Sequence, residues 1–161
     1  MKVVIFGNSG SGKSTLASSM ASEKNLAHMD LDTVAWLPSR PPKRMSTEHS
    51  YKQIKRFMNQ HDNWVIEGCY SDLLKLVVNA ATEMIFLNLP VAACVENAKS
   101  RPWEPHKYNS KEAQDANLTM LIDWIEQYDV RSDTFSKEAH LMLYNEFTGL
   151  KKQYTSNEHV A

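Results

Sequence analysis

Gly7-Asn8-Ser9-Gly10-Ser11-Gly12-Lys13-Ser14 follows the β-branched and aromatic run Lys2 to Phe6 and opens onto the helix-compatible stretch Lys13 to Glu23. The spacing is G-x4-G-K-S, with a strand before it and a helix after it as that pattern demands. Gly7, Gly10 and Gly12 let the backbone curl so that successive N–H groups point inward, and the helix adds the positive end of its dipole. Such a cradle holds phosphate. Lys13 is expected to reach the β and γ phosphates of ATP, Ser14 to ligate Mg2+ through its hydroxyl, and Thr15 to bond the α phosphate. A glycine loop that only turned the chain would leave Lys13-Ser14 unexplained.

Around this loop the residues alternate between two periods. Leu26 to Met29, Trp64 to Ile66 and Met84 to Leu89 are short apolar runs that read as strands. Between and after them lie helical stripes. Tyr51, Ile54, Phe57 and Met58 follow a Ser46 or Thr47 cap, and Val91, Cys94, Val95 and Ala98 follow Pro90. Ala113, Ala116, Met120, Leu121, Trp124 and Tyr128 form a third stripe, and Ala139, Met142, Leu143 and Phe147 a fourth, with their Met and Trp residues expected in the core. Strands alternating with helices predict an α/β fold, a parallel sheet covered on both faces.

A chain of 161 residues is sized for one domain. Surface scaling lets a chain of this size bury about 70% of its unfolded surface without disulfides or a structural metal. The formal charge of −1 argues against a general nucleic-acid or membrane-surface binder. Cys69 and Cys94 are too few for a disulfide framework and too far apart for a zinc site, so a reduced, cytoplasmic setting is expected. No apolar run approaches the ~20 residues that span a bilayer. Pro38 to Arg44, Pro102 to Pro105 and the tail after Tyr154 are expected to be the least ordered parts. The oligomeric state stays open.

The loop alone does not separate kinases from ATPases and GTPases. An Asn-Lys-x-Asp base reader and an Asp-x-x-Gly switch after a strand are both missing, which disfavours a G protein. The segments Gly7 to Ala17, Asp30 to Trp36, Trp64-Val-Ile-Glu67-Gly68-Cys-Tyr70 and Ile85 to Pro90 together resemble the adenylate-kinase-like and shikimate-kinase-like P-loop proteins. Within them the chain looks closest to the group labelled DNA topology modulation protein. The resemblance implies a three-layer α/β/α sandwich, sheet order 2-3-1-4-5, and a mobile lid at roughly residues 101–112. It also implies ATP- and Mg2+-dependent phosphoryl transfer to a small acceptor. Adenylate kinases have Asp-Gly-Phe-Pro-Arg where this chain has Glu67-Gly-Cys-Tyr-Ser, and shikimate kinases have Gly-Gly-Gly, so neither named acceptor is supported. A nucleotide-binding regulator, in keeping with the topology label, and a simple ATPase are the rival readings.

Asp30 and Asp32 fall at the carboxyl end of the second strand, where open α/β sheets place ligands. The resemblance implies that one carboxylate holds Mg2+ through water and the other receives the acceptor's proton; Asp32 matches better as the base, and a helix cap is its plainer reading. Glu67, at the end of the third strand, is expected to hold Mg2+ through water or to contact the acceptor, with Gly68 permitting close approach. Trp36, with Arg40, Lys43 and Arg44, lies where such folds bind the acceptor, and would suit an anionic or planar one. In the lid, Arg101 is the first candidate to stabilise the transferred phosphoryl group. Lys107 and Arg131 come second, against the alternative of solvated helix ends, and His106 reads as a surface residue.

Overall fold

In the computed structural model, which describes residues 1–160, five strands form one parallel sheet. They are β1 (Lys2–Gly7), β2 (Ala27–Asp30), β5 (Trp64–Gly68), β6 (Glu83–Leu87) and β7 (Leu150–Tyr154), ordered β2-β5-β1-β6-β7. Counted within this sheet alone, that is the expected order 2-3-1-4-5. The labels β3 (Trp36–Leu37) and β4 (Lys43–Arg44) belong to a separate antiparallel pair inside the stretch expected to be loose. Register places Ile5 between Glu67 of β5 and Ile85 of β6, so all three strands end on one edge.

Alternation along β1 separates two cores. Val4 and Phe6 face Ile54 of α3 (Thr47–Gln60), Leu73 and Leu74 of α4 (Ser71–Val77), and Leu143 of α7 (Lys137–Glu146). Val3 and Ile5 face Ala17 and Met20 of α1 (Lys13–Lys24), Cys94 and Ala98 of α5 (Val91–Lys99), and Ile125 of α6 (Lys111–Glu126). Val3 through Phe6 are each 0% exposed, and burying such side chains contributes about 1.5–3 kcal/mol apiece. The caps are local: Ser46, Ser110 and Ser136 accept backbone N–H bonds at the starts of α3, α6 and α7. Among the described residues no helix is long and apolar enough to cross a membrane.

Several boundaries move. β2 runs to Asp30 rather than Met29, and β6 stops at Leu87, ahead of Pro90. α4 and β7 have no counterpart among the expected elements; the Leu-Lys-Lys-Gln-Tyr strand is half-exposed at the sheet's edge and carries no apolar pattern. The tail after Tyr154 continues as a 3-10 turn, Asn157–Val160. Met120 and Met142 are 71% and 50% exposed, contrary to the core reading, because α6 turns Leu118, Leu121 and Ile125 inward instead. In α7 the inward positions are Leu143 and the fully buried His140. That imidazole donates from Nε2 to the Cys69 carbonyl at 2.8 Å and accepts at Nδ1 from the Tyr128 hydroxyl at 2.7 Å. Burial lowers its pKa to about 4, so it stays neutral and clamps the turn after β5.

Candidate active site

The phosphate loop sits on the carboxyl edge of the sheet between β1 and α1. Gly10 and Gly12 hold φ of 77° and 92°, and a Cβ at Gly10 would collide with the Cys94 carbonyl of α5. A Cβ at Gly7 would come within 2.5 Å of the Leu87 carbonyl oxygen, so the loop also abuts β6. The first turn of α1 carries no acidic residue and no side-chain cap, which leaves its N–H groups to a ligand. Two contacts that sequence reasoning missed brace the loop from behind. Asn97 of α5 donates to Gly10 O at 2.8 Å, and Asn8 donates to Ile125 O of α6 at 3.1 Å. Asn8 therefore serves the scaffold with its side chain. Lys13 Nζ reaches back to Asn8 O at 2.8 Å. Ser11 is fully buried, and its hydroxyl has no partner among the described residues.

In front of the loop opens a cleft of about 1110 Å³, lined by Ser9, Gly10 and Gly12 to Thr15 on one side and by Asp30, Asp32, Glu67 and Gly68 on the other. Glu67 is 1% exposed. Its Oε2 accepts from Ser14 Oγ at 2.7 Å and lies 3.1 Å from His28 Nε2. His28 was not anticipated, although it shares a face of β2 with Asp30 by the two-residue period of a strand. Asp30 Oδ1 accepts from the Asp32 N–H at 2.9 Å, a short cap like the one considered for Asp32 but formed by Asp30. Burial first, then the negative charges of Asp32 and Glu67, push the Asp30 pKa up to about 6.

Ser14, Asp30 and Glu67 offer oxygen donors at one end of the loop, the donor type that suits Mg2+. The described residues contain no cluster of three or more His, Cys, Asp or Glu able to hold a metal by themselves.

The segment between α5 and α6 covers the cleft from above. Lys107 Nζ stands 3.3 Å from Asp32 Oδ2, 3.7 Å from Asp30 Oδ2 and 3.5 Å from Glu104 Oε2. Burial opposes its charge, but Asp32, Asp30 and Glu104 outweigh it and raise its pKa above the usual lysine value. Arg101 Nε pairs with Glu104 Oε1 at 3.1 Å, and both side chains line the cleft, as does His106. The covering loop ends earlier than expected, since Ser110 caps α6 and residue 111 is already helical.

Five expected residues lie elsewhere. Arg131 grips Asp133 through Nε and Nη2 at 2.9 and 2.6 Å and stacks 3.6 Å over Trp124, away from the cleft lining. Arg44 donates to Ala35 O at 3.2 Å and pairs with Asp72 at 3.0 Å. Arg40 is exposed on the β3–β4 hairpin, and Trp36 turns its indole N–H to Tyr70 OH at 2.8 Å. None of Trp36, Arg40, Lys43 or Arg44 lines the cleft, so the basic pocket expected for an anionic acceptor is not assembled there. The reason is local: the hairpin packs back on α2 (Asp32–Ala35) through Met45 N–H to Ala35 O at 2.8 Å.

No protein-family model matches the chain. No curated protein matches it in sequence either. Among solved structures, the deoxyadenosine kinase from M. mycoides with bound dATP aligns at TM-score 0.51 and 12% identity, over 96% of this chain and 91% of its own. The likeness is one of fold. Shikimate kinases from Aquifex aeolicus (TM-score 0.48, 17% identity, 79% of this chain and 92% of that one) and Bacteroides thetaiotaomicron (0.48, 15%, 89% and 96%) align more loosely.

Proposed function

We propose that this chain is an ATP- and Mg2+-dependent kinase that transfers the γ-phosphoryl group to a hydroxyl of a small acceptor. The observation that carries the reading is the facing of Lys13 and Ser14 by Asp30, Asp32 and Glu67 within one cleft, under a loop that brings Arg101 and Lys107. Phosphoryl transfer needs mainly positioning and positive charge around the moving group. Gly7 to Thr15 bind the triphosphate, with Lys13 on its β and γ oxygens. Arg101 neutralises charge that grows on the transferred group, and Asp32 orients the acceptor hydroxyl and takes its proton. When bound, Mg2+ supplies further neutralisation, with Ser14, Asp30 and Glu67 as its protein-side contacts.

The charges favour one kind of acceptor. On the β2 side the lining is His28, Met29, Asp30, Asp32, Thr33 and Phe57, with Lys107 of the covering loop against Asp30 and Asp32, while Arg40 and Arg44 are outside the lining. A carboxylate or phosphate there would meet the Asp30 and Asp32 carboxylates, and an ammonium would meet Lys107; a neutral alcohol would meet neither as like charge. With radiolabelled ATP, label should pass to neutral alcohols such as nucleosides in preference to shikimate, sugar acids or nucleoside monophosphates. Preferred labelling of the anionic set would refute the charge argument. Phosphate release without labelled acceptor would favour an ATPase, and binding without turnover a nucleotide-responsive regulator.

Arg101→Ala separates catalysis from binding. The expected result is a fall in kcat of about 10²-fold, with ATP affinity changed only a few-fold. A loss confined to affinity would reassign Arg101 to ground-state binding.

A further inference from the structure

Asp32 is the least supported member of the site. Its side chain is 45% exposed, and it begins a helix of only four residues. The Asp30 bond fixes its backbone N–H and leaves its carboxylate free to rotate. Two groups touch that carboxylate: Lys107 on Oδ2, from the covering loop, and the Tyr70 hydroxyl on Oδ1. Of the two, only the second belongs to the buried core. Tyr70 is 3% exposed, sits between β5 and α4, packs its ring 5.3 Å from Phe135, and lies under the Arg44 guanidinium at 4.8 Å.

The direction of the chain of bonds is set by chemistry. An indole N–H can only donate. Trp36 Nε1 therefore donates to the Tyr70 oxygen at 2.8 Å, and the single phenolic proton is left for Asp32 Oδ1. Burial holds the Tyr70 pKa above the usual phenol value, so the hydroxyl keeps its proton. With Oδ1 occupied, Oδ2 is the oxygen turned to the cleft, where the Lys107 ammonium stands.

We propose that Tyr70, held by Trp36, is the positioning residue of the acceptor site, locking Asp32 Oδ1 so that Oδ2 alone meets the acceptor hydroxyl. The assignment rests on the kinase reading above. It gives Trp36 a place one step behind the acceptor.

Tyr70→Phe keeps the ring and removes one oxygen, and the released indole N–H can bond water because Trp36 is 39% exposed. With labelled ATP and the acceptor that takes label in the panel above, kcat should fall about 10- to 30-fold while KM for ATP stays within about twofold. Trp36→Phe should cost about threefold. In an Asp32→Ala background, Tyr70→Phe should add less than about twofold, because no carboxylate remains to be held. In the free protein the Trp36 indole 1H–15N resonance should shift in Tyr70→Phe, a readout that needs no acceptor. An unmoved indole resonance, an unchanged kcat in Tyr70→Phe beside an inactive Lys13→Ala, or a full additive loss in the Asp32→Ala background overturns the positioning role and leaves the kinase reading intact. Wild-type protein that labels no acceptor overturns both.

Discussion

Lys13→Ala should abolish phosphoryl transfer, by at least about 10³-fold, in a protein that folds as before. The magnitude follows from the proposed role: one ammonium faces the β and γ oxygens where charge moves during transfer. The fold should survive because, among the described residues, the one hydrogen bond of Lys13 Nζ is to Asn8 O of its own loop. Lys13→Arg should be nearly as inactive, since a planar fork does not replace a compact point charge in a backbone cradle. ADP formation, read beside circular dichroism and thermal melting, checks both variants. Wild-type turnover in Lys13→Ala would remove the central claim.

Asp30→Asn should act in opposite directions on stability and activity. The Asp30 pKa is raised from 3.8 to about 6, so above pH 6 the folded protein holds a carboxylate that it would rather protonate. The sign follows from linkage: a raised acid favours the folded state fully below pH ~3.8, and that favour is lost as pH rises through ~6. Removing the charge should therefore stabilise the protein at pH 7.5 by about 1–2 kcal/mol, or several degrees in Tm. The gain should shrink towards zero between pH 6 and pH 4, where the wild-type carboxyl is already neutral. The amide oxygen of the replacement can still accept the Asp32 N–H, so the cap is kept. Phosphoryl transfer should drop by about 10²-fold through the loss of a cation-side carboxylate. Melting curves of both proteins across pH, with transfer assays at pH 7.5, test the pair of effects. A variant less stable than wild type at pH 7.5 would show that Asp30 is paid for by its neighbours and is not strained by them.

What could be read from the chain follows the strength of local physics. The phosphate loop was legible because backbone curvature, helix start and lysine must all occur within eight residues. β1, β5 and β6 were legible because strands covered on both faces need unbroken apolar runs. β7 was not, since an edge strand such as Leu150–Tyr154 is completed by its neighbour rather than by its own side chains. Asp30, Asp32 and Glu67 were found because strand ends carry function in open sheets. Their supports were hidden for a different reason: His28, Tyr70 and Asn97 matter through partners 39, 38 and 87 residues away. Arg131 and Arg44 misled because a cation near a site in sequence says nothing of the carboxylate or ring that will claim it. Asp133 and Asp72 did so here.

The two braces behind the phosphate loop have a consequence for how this molecule can be altered. Asn97 lies near the end of the helix that leads into the covering loop, so that foot stands on the glycine loop itself, while the helix that receives the covering loop meets the glycine loop at its far end, through Ile125. The span between residues 102 and 109, which leaves Arg101 and the Ser110 cap in place, is an exchangeable cassette mounted on that base. Replacing it with loops of other length or charge should retune which alcohol is accepted while ATP affinity stays where the base sets it.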